Sequence, residues 1–380
     1  MITTNGKWVG GTAIVLLMVG LVLSYPLLLA LGVSMLAALL VGLMFVLGRP
    51  SLSAQQTVQP TVVGVGDAAT ALVTVTNTGS RTSSPVVAAN HIGGTLASLA
   101  LPAIAAGASH VASLPLPTAT RGHFRVGPLT IERADPLGLF RVTTHRGAEA
   151  ALVVHPAIHS MVPLPTGHRR EFEGAAAEQP HEGGISFHSL RDYELGDDLR
   201  LIHWRSVAKT GNLMVRKNII TSEPRLMILL DTWAGSYVGD DFEDAVRVAA
   251  SLVQAGCNHN YPVLFRATNG LAADAKASGE GRTDIMRMLA DIQPNADDPG
   301  LNGVVRFTDR VEGVSLGAVT GQPPAERTVG ISRARSRFDM VTVVQVGETH
   351  ERPPMRIPGA LVLNGSTSTE IADKWKARFG

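Results

Sequence analysis

Arg225-Leu226-Met227-Ile228-Leu229-Leu230-Asp231 is a short, unbroken apolar run that ends in an acid. A strand buried on both faces of a parallel sheet reads this way, without the polar alternation of a half-exposed strand. The residues after it take up a helical period. Phe242, Ala245, Val246, Ala249, Leu252 and Val253 fall on one face of a helix predicted over Asp241 to His259. Pro262–Ala267 is a second strand, and Thr283–Ile292 a helix with Ile285, Met288, Leu289 and Ile292 inward. Strands at Ser315–Thr320, Met340–Val346 and Ala360–Leu363 follow. The closing helix, Ser366–Phe379, has Glu370 in its first turn and Lys374, Lys376 and Arg378 near its end, as the helix dipole favours. This alternation predicts an α/β doubly wound sheet over 225–380, with any ligand at the C-terminal ends of the strands.

Working outward, residues 8–48 contain no Asp, Glu, Lys or Arg. About 20 apolar residues cross the hydrocarbon core of a bilayer. The run therefore holds two spans, about 8–24 and 27–48, separated at Ser24-Tyr25-Pro26. A signal peptide would have a shorter apolar core and a small-residue cleavage site, and neither is present. Residues 1–50 are read as a transmembrane hairpin. Its flanking charges, Lys7 and Arg49, place both ends and the following domains in the cytoplasm of a multi-pass cell-membrane protein. No ionisable residue lies within the spans to mark a transport path.

Residues 51–165 carry short alternating strands, among them Ala69–Thr76, His110–Leu116, His123–Glu132 and Ala150–His155, punctuated by Gly and Pro. They predict a β-sandwich. Two strings, Thr118–Leu129 and Asp135-Pro136-Leu137-Gly138-Leu139-Phe140, are expected to be its corners. Residues 166–224 comprise a connector without hydrophobic period and then a dense polar stretch. That stretch, Ile185 to Asn218, gathers Arg191, Asp192, Tyr193, Gly196, Asp197, Asp198, Arg200, His203 and Trp204. Charges of both signs alternate along it, so it is neither a basic tail nor an acidic one.

Ser189-Leu190-Arg191-Asp192-Tyr193-Glu194-Leu195-Gly196-Asp197-Asp198-Leu199-Arg200-Leu201-Ile202-His203-Trp204, with Ser206–Thr210 and Leu213–Arg216 after it, resembles the signature of the bacterial domain-of-unknown-function 58 family. Arg121-Gly122, Gly127-Pro128 and Asp135–Phe140 resemble that family's upstream elements in the same order. The resemblance implies a membrane hairpin, a β-rich domain and a von Willebrand factor A-like domain. It also implies a neighbourhood of MoxR-type AAA+ ATPases and transglutaminase-like membrane proteins. One position departs: His203 stands where the family pattern implies an acid before Trp204.

A von Willebrand A-like domain can hold Mg²⁺ on an Asp-x-Ser-x-Ser loop, which turns a carboxylate and two hydroxyls toward one hard cation. Here the loop reads Asp231-Thr232-Trp233-Ala234-Gly235. Both hydroxyl positions are lost, Thr232 and Ser236 are out of register, and Thr320-Gly321 stands where an acid would help. Asp231 is thus a degenerate metal-site position, expected to cap backbone amides. No metal or other cofactor is expected.

The single cysteine, Cys257, excludes an internal disulfide and a cysteine-built zinc site, and reads as a small buried hydrophobe. A net charge of +1 gives no pull toward nucleic acid. No nucleophile elbow, zinc-protease helix or phosphate-binding lysine loop occurs. Asp197 and Asp198 are adjacent beside Gly196, which suits a turn better than acid–base chemistry. The polar stretch is then a structural brace, with Arg191, Arg200 and Arg205 pairing the three aspartates and Trp204 packing between domains, or a docking surface for a partner. The expected function is a membrane-anchored, non-catalytic adaptor working with a MoxR-type ATPase or a transglutaminase-like membrane protein. The alternatives are a hydrolase or transferase acting at 185–218 and a metal-dependent adhesion module.

Overall fold

The computed structural model describes residues 2–47, 52–83, 85–166, 186–193, 202–219, 224–307, 314–347 and 355–380. These divide into two compact units: Met1–Ala157 with Met286–Ile292, and Ile158–Ile285 with Gln293–Gly380.

The first unit begins with two apolar helices, α1 (Thr4–Val22) and α2 (Pro26–Leu47), both long and apolar enough to cross a membrane. The helix α1 starts earlier than its apolar run because Thr3 caps it, the Thr3 hydroxyl accepting the Gly6 amide at 3.1 Å. The two helices approach closely at Gly32, where a Cβ would stand 2.6 Å from Leu17 Cγ. Their outer surfaces are apolar and uncovered; Ile14, Met18, Leu21, Leu27, Leu31, Leu40 and Met44 are all exposed. A surface of that composition in water would be far larger than the apolar patches soluble chains tolerate.

Two sheets follow. β1 (Leu52–Gln59), β3 (Thr70–Asn77) and β6 (Ser109–Pro115) make a three-stranded antiparallel sheet in the order β1-β3-β6. The second sheet runs β2 (Val62–Gly64), β9 (Ala150–His155), β7 (Gly122–Ala134), β4 (Val86–Ile92) and β5 (Thr95–Leu101), with β8 (Arg141–Arg146) also paired to β7. β3 alternates buried and half-buried along its length, as its sequence period requires. Ala71 and Leu114 from one sheet share a core with Ile92, Val126, Leu152 and Val154 from the other. Val73 and Val75 do the same with Ala88, Leu129 and Ile131.

The string expected as a first corner is instead part of one long strand. β7 pairs with β9 through Gly122–Val126 and with β8 through Leu129–Ala134. Between the two ladders stand Gly127, at φ +100°, and Pro128, which has no amide to give a ladder. The second string is a turn as expected. Asp135 closes the β7–β8 connection, its carboxylate accepting the amides of Leu137 at 3.0 Å and Phe140 at 2.5 Å.

In the second unit β10 (Ser186–Asp192) and β11 (Met214–Ile219) form an antiparallel ladder, and α3 (Trp204–Thr210) lies between them in sequence. The main sheet has the order β14-β13-β12-β15-β16-β17, from β12 (Arg225–Leu230), β13 (Val263–Ala267), β14 (Ala272–Ala275), β15 (Val314–Thr320), β16 (Met340–Val346) and β17 (Leu361–Gly365). Five strands are parallel; β14 is an antiparallel edge strand that the sequence reading missed. Its Ala-Ala-Asp-Ala sequence carries no β-branched or aromatic residue to signal it. Helix α4 (Asp241–Asn258) buries the six apolar residues assigned to its inner face, and Cys257 is buried and free. In α5 (Arg282–Asp291), most of which is counted with the first unit, Met286, rather than Met288, is buried. Met227 and Leu229 of β12 pack with Leu301, Val304, Ile331 and Phe338, where the chain forms a 3-10 segment and the short helix α6 (Val329–Ala334). The last helix, α7 (Ser368–Phe379), sinks Trp375, whose indole donates to the Val162 carbonyl at 2.9 Å. The architecture is thus two apolar helices followed by a multi-sheet α/β body.

Candidate functional site

The sheet reverses its strand order between β12 and β15, since β12 sends the chain first to β13 and then across to β15. At such a switch point the loops diverge and leave a crevice at the strand ends, the usual ligand position in open α/β sheets. Asp231 stands there, directly after β12 and fully buried. Its Oδ1 accepts the Trp233 amide at 3.0 Å, the amide cap expected of it. Its Oδ2 accepts two hydroxyls at 2.7 Å, from Ser236 and from Thr320 at the end of β15. Burial pushes the Asp231 carboxyl up; these three donors pull it down, and the charge of Asp298 adds to the rise.

A second buried carboxylate lies alongside. Asp298 accepts the Thr232 hydroxyl at 2.7 Å and the Gly300 amide at 2.7 Å. Thr232 in turn sits 3.0 Å from the Thr268 hydroxyl, just past β13. Loop ends from three parallel strands therefore meet in one buried net of hydroxyls and carboxylates. Tyr237 donates its hydroxyl to the Asp231 carbonyl, and burial together with the nearby Asp231 charge pushes its pKa far up. Over the net, the Arg327 guanidinium lies 4.3 Å from the Trp233 ring centre and donates to the Asp298 carbonyl at 2.6 Å.

The two hydroxyls that appeared out of register are both recruited. A 3-10 turn at Ala234–Ser236 folds Ser236 back onto Asp231, and Thr232 turns toward Asp298. Asp298, Thr268 and Arg327 were not singled out in the sequence; they lie 37 to 96 positions downstream of Asp231 in segments with no motif of their own.

This donor set does not fit a hexacoordinate hard cation. The loop positions that would present hydroxyls carry Trp233, whose indole is turned to the Ala296 carbonyl, and Gly235. The hydroxyls that are present spend their protons on Asp231 and Asp298, and a guanidinium stands over the loop. Among the described residues no group of three or more His, Cys, Asp or Glu side chains is gathered as for a metal.

The polar stretch is described in part. Gly196, Asp197, Asp198 and Arg200 lie outside the described residues, as does the side chain of Arg191. Asp192 ends β10 and is exposed; Tyr193 follows it, its amide donating to the Leu213 carbonyl at 2.9 Å. Ile202 and Val215 anchor the motif, both buried and bridged to each other. His203 precedes α3 and shares a 2.7 Å hydrogen bond between its Nδ1 and the Ser206 hydroxyl. Gly211 ends the helix at φ +76°, a conformation that favours glycine. Trp204 is 66% exposed. It holds the first position of a seven-residue helix, and Ile202, two residues before it, is buried.

Fold and site define a chain with an apolar helix pair and an α/β body whose switch point is filled by its own side chains. Within that body, residues 189–337 match the family described as "Protein of unknown function DUF58". An uncharacterized protein of Bacillus subtilis, YeaD, is 24% identical over 146 residues, 38% of this chain and 35% of that protein. The chain thus spans about a third of the length of this curated relative. Among solved structures, the CARDB domain of the PF1109 protein from Pyrococcus furiosus, in complex with di-metal ions, is similar at 19% identity and a TM-score of 0.23. It matches over 28% of this chain and 93% of that one. The ApaA protein from Bordetella pertussis is similar at 19% identity and a TM-score of 0.19, over 28% of this chain and 94% of that one. At these scores neither likeness carries an argument.

Proposed function

We propose that the chain is a membrane-anchored, non-catalytic adaptor. Its paired sheets act as a β-sandwich, and its C-terminal unit as a von Willebrand factor A-like domain presenting a docking surface to a MoxR-type AAA+ ATPase. The observation that carries this reading is Trp204. An indole left 66% exposed in a short segment that also exposes Leu213, at 43%, and the cations Arg205 and Lys209 has the composition of an interface hot spot with a polar rim. The closed state of the net around Asp231 and Asp298 supports the same reading, because no carboxylate there is poised toward an open space. The apolar helix pair holds the body at a membrane, with the soluble units on the cytoplasmic face.

The test is crosslinking of the full chain in native membranes, followed by capture and mass spectrometry, with Trp204→Ala in parallel. The reading expects an AAA+ ATPase to be enriched with the parent chain and lost with Trp204→Ala while the variant's thermal stability is unchanged. Recovery of the ATPase equally with both chains would remove Trp204 from the interface. Recovery with neither would remove the adaptor reading.

A further inference from the structure

A cleft of about 550 Å³ opens in the first unit, between the first turn of α1 and the start of β8. Thr3, Asn5 and Lys7 line it from one side, Arg141 and Thr143 from the other. The junction that forms it is tightly made. The Thr3 amide donates to the Leu139 carbonyl at 2.9 Å and the Thr3 hydroxyl to the Gly138 carbonyl at 2.7 Å. A Cβ on Gly6 would stand 2.3 Å from the Leu139 oxygen, so only glycine admits the contact. Arg141 is oriented by Glu132, at 2.9 Å from its Nε.

The level of this cleft relative to a bilayer can be read from the aromatic residues. Trp8 is 73% exposed beside Lys7, and Tyr25 is 57% exposed in the turn that joins α1 to α2. Helical rise from Trp8 to Val22, the last residue of α1, gives about 21 Å, and the turn beyond it carries the chain on toward the span of the roughly 30 Å hydrocarbon core. Trp and Tyr favour the two interfaces of a membrane. Lys7 then lies just outside the Trp8 level, where lipid phosphates stand. Leu137, 59% exposed at the apex of the β7–β8 turn, belongs to the same level, because its neighbours Gly138 and Leu139 are bonded to Thr3.

We propose that this cleft seats the headgroup phosphate of an anionic phospholipid, with Lys7 and Arg141 supplying the charge and the hydroxyl of Thr143 a polar contact. The proposal rests on the membrane-anchored reading above. Bound lipid would fix the first sheet pair against the membrane surface.

The experiment uses the full chain in detergent, incubated with equal amounts of phosphatidylglycerol and phosphatidylcholine and examined by native mass spectrometry. The parent chain should retain phosphatidylglycerol over phosphatidylcholine by about fivefold or more, the scale of one basic residue at a lipid surface. Lys7→Gln and the double variant Lys7→Gln with Arg141→Gln should lose that preference stepwise. Lys7→Gln leaves the Arg141–Glu132 pair in place, and an unchanged thermal midpoint separates its loss of preference from unfolding. Equal retention of the two lipids, or an unchanged preference in both variants, overturns the proposal. Displacement of the lipid by inorganic phosphate at the lipid's own concentration overturns lipid as the source of the phosphate. Vesicle flotation separates the two claims: a chain that fails to float overturns the anchor as well, whereas a chain that floats without lipid preference overturns only the cleft.

Discussion

Asp135 and Asp231 are both aspartates, both directly follow a strand, and both are buried, at 4% and 0% exposure. They differ in where their partners come from. Asp135 is satisfied by the amides of Leu137 and Phe140, two and five residues on. Asp231 takes one amide from its own loop, but its hydroxyls come from Ser236 and from Thr320, 89 positions away. The first is a turn that any chain with that local sequence could close. The second exists only once β12 and β15 are paired. A carboxylate held by local backbone shapes a turn, whereas one held by remote hydroxyls reports on, and locks, the tertiary arrangement.

The widest separation between the two should come from Asp231→Ala. It leaves two buried hydroxyls and an amide without their acceptor, at a cost of about 3–5 kcal/mol. Hydrogen exchange of the full chain should show the loss as deprotection of β12 and β15 together, with β7 and β8 unaffected. Spread of the effect to β7 would break the distinction. Next in size is Gly6→Ala, which drives a methyl into the Leu139 carbonyl and should cost about 2 kcal/mol, read as faster exchange at the first turn of α1. Asp135→Ala should cost about 1–2 kcal/mol, confined to residues 135–141. Deprotection reaching β4 would mean that Asp135 does more than close its turn.

The smallest effect is a pH dependence of opposite sign at two carboxylates. Glu370, bonded to Lys374 and to the Ser366 amide and hydroxyl, is held down to about 2. Its contribution is present above the ordinary carboxylate value and lost as pH falls from there toward 2. Because Glu370 is 40% exposed, solvent screening limits this to about 0.5 kcal/mol. Burial raises Asp231 instead, so its titration favours the folded state at low pH, and that contribution disappears as pH rises through its folded value. Glu370→Gln should therefore flatten the acid limb of an unfolding-midpoint profile, while Asp231→Asn should be most destabilising, relative to the parent, at acid pH.

The same contrast explains what could be read in the sequence. Every main strand of the parallel sheet was legible from its apolar run, and α4 from its period, because burial on both faces writes itself into composition. The turn at Asp135–Phe140 was legible because proline and glycine act locally. The short strands β1, β2, β4, β5 and β8 were not distinguished, since several hold polar or small residues and depend on partners for their form. At the switch point only Asp231 could be found. Ser236 looked out of register because a 3-10 turn changes the spacing at which side chains coincide, and Asp298 and Thr268 carried no local signal. The exposure of Trp204 was also illegible, as an indole amid charges reads equally as a buried brace.

The central claim is that the switch point is closed by the protein's own hydroxyls and serves structure, leaving function to the outer surface. Thermal unfolding of the full chain over a Mg²⁺ titration at constant ionic strength tests it most directly. The account predicts no saturable rise in midpoint, and none in Asp231→Asn either. A saturable rise in the parent chain that vanishes in Asp231→Asn would contradict it, for it would show that the hydroxyls release Asp231 to a cation.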